Sequence, residues 1–172
     1  GDIKVFTDDI ASYVVMYIDR NENNYHPVSI REIYFPHDVS YSDYESDAEY
    51  EAAYKEKLDA AHTSAEQVYN NWLEGEKTED SFGKLAQTYN TAGTTADYGL
   101  IEVVMKDVYN EAITEWCFDP ARQEGDVEII DTPDGSYVLY FKGEYYQTYR
   151  QYVVDAELRS ADFDAWEEEN LP

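Results

Sequence analysis

"TPDGSYVLYFKGE", residues 132–144, decides the fold. Pro133 presets φ for a turn, and Asp134-Gly135 supplies residues that tolerate a tight reversal. The six residues ahead of Thr132, "DVEIID", alternate apolar and polar, so the two stretches together predict a β-hairpin. On its second strand Tyr137, Leu139 and Phe141 share one face. What that face looks at decides whether the chain carries a site.

Reading outward from the hairpin, "VYNEAITEWCF" (108–118) predicts a helix and "LIEVVM" (100–105) a strand, with the loop "TAGTTADYG" (91–99) before it. "EDSFGKLAQTYN" (79–90) reads as a short helix burying Phe82, Leu85, Ala86 and Tyr89. A long helix is expected from Ser46, with Glu49 completing a capping box, to a stop at Gly75. Tyr54, Leu58, Ala61, Ala65, Val68 and Trp72 form its narrow apolar stripe. "VSIREIYF" (28–35) is a strand of period two, with Val28, Ile30 and Glu32 on one face. At the ends, residues 7–18 fit a helix capped by Thr7, with Ile10, Tyr13, Val14, Tyr17 and Ile18 on one side. Residues 147–170 fit one helix, or two meeting near Ser160. No internal repeat is visible. The order strand, helix, helix, strand, helix, hairpin predicts an α+β fold with extra helices at both ends.

Bulk properties bound the function. A chain of 172 residues with 43% hydrophobic and 16% aromatic content can build a real core. Its 12 basic against 38 acidic residues give a formal charge of −26. Such a surface repels phosphate backbones and anionic lipids, which argues against nucleic-acid or membrane-surface partners. The single cysteine, Cys117, excludes an internal disulfide and reads as a small buried hydrophobe in "ITEWCF". No apolar run approaches membrane-spanning length. Gly1 in place of Met reads as the trace of trimming, with any leader or anchor removed upstream.

The order of elements and three local phrases resemble the parvulin family of peptidyl-prolyl cis-trans isomerases, over roughly Val28 to Lys142. "EDSFGKLAQTYN" is similar to the family's Glu-Asp-Phe…Leu-Ala…Tyr-Ser helix. "ADYGLI" is similar to its Gly-Asp-Leu-Gly strand entry through Asp97 and Gly99. "EGDVEIIDTPDGSYVLYFKGE" resembles its closing hairpin. The resemblance implies a parvulin-like four-stranded antiparallel sheet packed by helices at 28–143. Flanking helices are similar to those of PrsA-like foldases, which implies a partial helical chaperone-like lobe. Its parts would be an N-terminal helix within 1–27 and a C-terminal helical segment, 144–172, packed against it. The same resemblance implies unfolded or exported polypeptides as partners, with basic segments favoured by the acidic surface. It also implies an extracytoplasmic location, with membrane attachment only through an upstream lipoprotein anchor, and no cofactor.

The family's site residues carry over position by position. The first histidine matches Glu32 and the second Tyr137, while the Cys or Asp falls near Ala92. Of the residues that hold the proline ring, Leu matches Tyr98, Met matches Tyr109 or Met105, and Phe matches Ile113. The histidine pair is therefore replaced, and a phenol–carboxylate hydrogen bond between Tyr137 and Glu32 is one substitute. Two readings stay open: an isomerase with an altered site, and a polypeptide-binding chaperone or scaffold that has lost turnover.

Other motifs carry less. His26, His37 and His62 read as surface histidines. Asp19, Asn21 and Asn23 have calcium-loop spacing, but Asn24 and Ile30 stand where the loop needs Gly and Glu, so no metal site is expected. Most of the 18 tyrosines read as a polar-rimmed core, with a subset suited to gripping polypeptide.

Overall fold

The computed structural model of the chain describes residues 1–18, 21–90 and 97–170. Its elements in chain order are β1 (Ile3–Thr7), β2 (Ser12–Met16), β3 (Val28–Pro36), α1 (Asp47–Glu74), α2 (Glu79–Tyr89), β4 (Leu100–Val104), α3 (Glu111–Cys117), β5 (Val127–Thr132), β6 (Gly135–Glu144) and α4 (Tyr149–Asn170). They fall into two compact units: His26–Gln147, and Gly1–Tyr25 with Thr148–Pro172.

The larger unit is α+β. Its four strands are antiparallel in the order β4-β3-β6-β5. The central pair runs from Val28↔Glu144 to Pro36↔Gly135, with a register shift between Ser29 and Ile30. The hairpin closes through Pro133 and Asp134, between the partners Thr132 and Gly135. Thr132 Oγ1 accepts from the Asp134 N–H at 3.2 Å and donates to the Gly135 carbonyl at 3.1 Å, so the turn satisfies its own backbone.

Alternation along β3 and β6 gives the sheet two apolar faces, and both are covered. On one, Ile33, Val138 and Tyr140 meet Ala65, Val68 and Trp72 of α1 and Phe82 and Ala86 of α2. On the other, Val28, Ile30, Val104, Leu139 and Phe141 lie with Ile113, Trp116 and Cys117 of α3. Each fully buried side chain of this size is worth about 1.5–3 kcal/mol, so the two layers supply the driving force for the unit. The question posed by Tyr137, Leu139 and Phe141 has its answer: they look toward α3.

The helix ends follow local chemistry. Ser46 Oγ accepts from the Glu49 N–H at 3.4 Å, while the Glu49 carboxylate takes the Glu45 N–H at 3.2 Å, one residue short of a reciprocal box. The buried part of the α1 stripe is Ala61, Ala65, Val68 and Trp72. Tyr54, toward the N-terminal end, reaches the hairpin turn instead, donating from Oη to the Pro133 carbonyl at 2.9 Å. α2 has a true reciprocal cap between Thr78 and Ser81. α3 starts at Glu111, later than expected, because Asn110 Oδ1 accepts from the Ala112 N–H at 2.9 Å.

The smaller unit corrects the expected N-terminal helix. Residues 3–16 form a two-stranded hairpin, with Ile3↔Met16, Val5↔Val14 and Thr7↔Ser12 in register, and every strand residue is exposed. The 3.6-residue spacing of Ile10, Tyr13, Val14 and Tyr17 lost to two local preferences. The strands are β-branched and aromatic, and the Asp8 carboxylate accepts from the Ile10 and Ala11 N–H groups, both at 2.8 Å, making a turn where helix was expected. The C-terminal segment is one helix without a break at Ser160, and none of its described residues is buried. Its first turn is tied to residues 22–25. The Tyr149 N–H donates to the Tyr25 carbonyl at 2.8 Å, and Arg150 pairs with Glu22 at 3.1 Å.

Gly135 tests the central pairing. Its φ is +146°, and a Cβ there would sit 2.2 Å from the Phe35 carbonyl oxygen and 3.0 Å from the Tyr34 ring. Gly135→Ala is expected to lower the unfolding free energy by about 3 kcal/mol, measured by urea titration. A loss under about 0.5 kcal/mol, the range of ordinary surface changes, would show that the hairpin end is not held as described.

Candidate functional site

The site lies on the α3 face of the sheet, where β3 and β6 run past the helix. Two strand positions 105 residues apart in the chain, Glu32 and Tyr137, share that face: Glu32 stands opposite Leu139, and Tyr34 opposite Tyr137. The rings of Tyr34 and Tyr137 stack with centroids 4.3 Å apart and planes 18° from parallel. Tyr34 Oη donates to the Asp134 carbonyl at 2.7 Å, anchoring the pair to the hairpin turn. Tyr109, on the approach to α3, packs at the margin of the same cluster with Tyr137 and Ile130.

The backbone of Glu32 is fixed from both sides. β4 pairs with β3 only as far as Arg31↔Leu100. Beyond that the Glu32 N–H donates to the Gly99 carbonyl at 2.8 Å. Asn90, the cap residue after α2, then stands in for a strand: its Nδ2 donates to the Glu32 carbonyl and its Oδ1 accepts from the Tyr34 N–H, each at 2.9 Å. Gly99 has φ +76°, and a Cβ there would lie 2.5 Å from the Glu32 carbonyl oxygen. The glycine is required by that close approach.

Electrostatics single out Glu32. It is half-buried, and burial raises its carboxyl from 4.5 to about 7. Among the described residues no cation or hydrogen-bond donor meets that carboxyl. Tyr137 is pushed well above the usual phenol range by burial first, then by Tyr34 and the Glu32 charge. Tyr34 and Tyr109 move the same way, burial leading and the Glu32 charge contributing. The phenols therefore stay protonated, and near neutrality the carboxyl exchanges between acid and anion. The arrangement can donate or accept a hydrogen bond to a polar group laid across it, and the ring faces can hold an apolar or cationic one.

The structure brings together part of the expected set. Glu32, Tyr137, Tyr109 and Ile113 lie on the α3 side of the sheet. The expected hydrogen bond between Glu32 and Tyr137 is replaced: the polar neighbour of Tyr137 is the Tyr34 phenol, and Glu32 acts on it through charge. Tyr98 is on the other side. It lies at α2, 3.3 Å from the position of a Gly83 Cβ, and its carbonyl and that of Asp97 each accept from Arg31 Nη1 at 3.0 Å. Arg31 alternates with Glu32 and so points to the opposite face, where it pairs with Glu79 at 3.0 Å, and it takes Tyr98 with it. Met105 follows the last residue of β4 and is half-buried. Ala92 and Asp19 lie outside the described residues. Tyr34 was missed in the sequence, although its two-residue spacing from Glu32 on a period-two strand is the signal that places them together.

The three histidines are not free surface groups. His26 Nδ1 lies 2.9 Å from the Tyr145 carbonyl. His62 Nδ1 lies 2.9 Å from the Asp131 carboxylate, which raises the His62 pKa. Asp131 in turn accepts from Ser136 Oγ at 2.6 Å. His37 meets the Pro133 carbonyl and the Tyr54 ring. Two of them, His37 and His62, tie neighbouring elements to the β5–β6 hairpin. Cys117 is buried, and burial pushes its thiol up to about 12, which leaves it a packing residue. Among the described residues no group of three or more His, Cys, Asp or Glu could hold a metal ion, and no helix is long and apolar enough to cross a membrane.

No protein-family model, curated protein or solved structure matches this chain.

Two measurements check the site. Because the folded state raises the Glu32 pKa, its contribution to stability is full below about 4.5 and is lost as pH rises through about 7. Glu32→Gln removes that loss, so the variant should gain on the parent across this window, by up to about 3 kcal/mol at the alkaline end. A difference independent of pH in urea unfolding would rule out the raised carboxyl. Asn90→Ala should cost about 1–3 kcal/mol by leaving the Glu32 carbonyl and Tyr34 N–H without their partner. Amide exchange at Tyr34 that stayed as slow as in the parent would show that Asn90 does not hold the strand.

Proposed function

We propose that residues 26–147 form a parvulin-type foldase domain that binds extended, proline-containing polypeptide along the α3 face of β3 and β6, with weak isomerase turnover. One observation carries this reading. Glu32 and Tyr137, at the positions resembling the family's two histidines, are neighbours on one face of adjacent strands, with Tyr109 and Ile113 beside them. The order strand, helix, helix, strand, helix, hairpin and the antiparallel four-stranded sheet support it.

Isomerisation must break amide resonance against a barrier of about 18–20 kcal/mol, and it needs no covalent step. It is helped by surroundings that favour the twisted amide over the planar, more dipolar one. A desolvated surface with protonated phenols and a carboxyl poised near neutrality is of that kind. Turnover is weak because a single donor cluster replaces two facing histidines. Action on exported chains outside the cytoplasm rests on the same family resemblance. A binding module without turnover is the second reading, favoured by the engagement of Tyr137 with Tyr34 rather than with Glu32.

The test is magnetisation-exchange NMR on short Xaa-Pro peptides with the protein added. Faster cis-trans exchange, reduced several-fold by Tyr137→Phe or Glu32→Gln, is the expected result. Peptides that bind the β3–β6 face without faster exchange would leave the second reading. Peptides that neither bind nor exchange faster would overturn both.

A further inference from the structure

Among the described residues no cation meets the Glu32 carboxylate, and the cations of the neighbouring elements make other contacts, Lys106 over the Phe118 ring at 5.1 Å from its centroid among them. Arg31, next in sequence, points to the α2 face and is held by Glu79 and by the Asp97 and Tyr98 carbonyls. Lys142 reaches the same Glu79 at 3.0 Å. Arg122 lies over the Trp116 ring, 4.2 Å from its centroid, and meets Asp126 and Glu128. Among the described residues, the groups on this face that feel the Glu32 charge are ones a positive charge would favour. These are the phenols Tyr34 on β3, Tyr137 on β6 and Tyr109 before α3, all of which feel its charge. Glu128 on β5 faces the same side, opposite Leu139, and accepts from Trp116 Nε1 at 2.7 Å. Cys117 on α3 is neutral.

An anion partly removed from water without a counter-charge is costly, and aromatic faces beside it attract a cation through their negative quadrupole. We infer that Glu32, with Tyr34, Tyr137 and Tyr109, is a receptor for a lysine or arginine side chain of the bound polypeptide. The inference rests on the polypeptide-binding reading above and adds its side-chain preference. The overall charge of −26 attracts any cationic chain, but at long range and under screening by salt. Glu32 supplies the short-range contact that salt screens less. Capture of the cation requires the carboxylate form, so the preference should strengthen as pH rises through about 7.

The experiment uses two proline-containing peptides that differ at one position, lysine against acetyl-lysine, titrated into the whole chain and followed by NMR. At about pH 8 and about 0.5 M salt, where long-range attraction is screened, the lysine peptide should bind about tenfold tighter. The ratio should approach one at about pH 5 and in Glu32→Gln at either pH. Alongside, methylammonium chloride alone, against sodium chloride, should lower the Glu32 pKa followed by its carboxyl carbon shift. Equal binding of the two peptides at alkaline pH, or a lysine preference that survives Glu32→Gln, would overturn the inference while leaving polypeptide binding intact. Peptides that leave the β3–β6 face unperturbed while methylammonium still moves Glu32 would overturn the foldase reading and the polypeptide ligand with it.

Discussion

Pairing of β3 with β6 is the constraint on which the larger unit depends. These strands lie at the centre of the sheet and are the only ones flanked on both edges, by β4 and β5. The buried apolar residues they contribute are each aimed at one of two helical layers. Because side chains alternate strictly along a strand, a slip of one residue would exchange the layers and send Glu32 into the α2 core. The close approaches of Gly135 to Phe35 and of Gly99 to Glu32 hold the register at two points where any larger residue would collide. The site inherits its geometry from that register.

The acidic composition shapes how the few cations are used. Arg31 and Lys142 converge on Glu79, where burial would raise the carboxyl but their hydrogen bonds prevail and hold it below the usual range. This knot joins β3, β6 and the start of α2 and fixes the segment at Asp97–Tyr98. It also leaves Glu32, one residue along from Arg31, without a cation among the described residues. The alternation that turns the arginine to one face turns the carboxylate to the other. An unpaired half-buried carboxylate among phenols is thus a product of strand geometry in a chain with few cations to spare.

Some errors of the sequence reading have identifiable causes. The 7–18 stretch matched a helical spacing, yet Asp8 closes a turn onto Ile10 and Ala11, and β-branched residues on either side favour extension. Ser81 caps α2 reciprocally, a signal hidden because the usual partner at that position is Glu or Gln. Tyr98 entered the expected site only as the match to the family's Leu. Its positive φ of 60° and the grip of Arg31 on its carbonyl put it at α2 instead.

By itself the sequence determined the α+β class, the order of elements from β3 to β6, the hairpin at Pro133–Asp134 and the face shared by Val28, Ile30 and Glu32. These depend on local periodicity and turn chemistry, which are written in runs of a few residues. The sequence could also nominate Glu32 and Tyr137 through family resemblance. Only the tertiary structure decided that Tyr34 stacks on Tyr137, that Asn90 bonds the β3 backbone at Glu32 and Tyr34, and that among the described residues no cation meets the carboxylate. Those contacts join residues from 56 to 103 positions apart along the chain. No local pattern encodes which distant side chain will take a polar partner and which will be left without one.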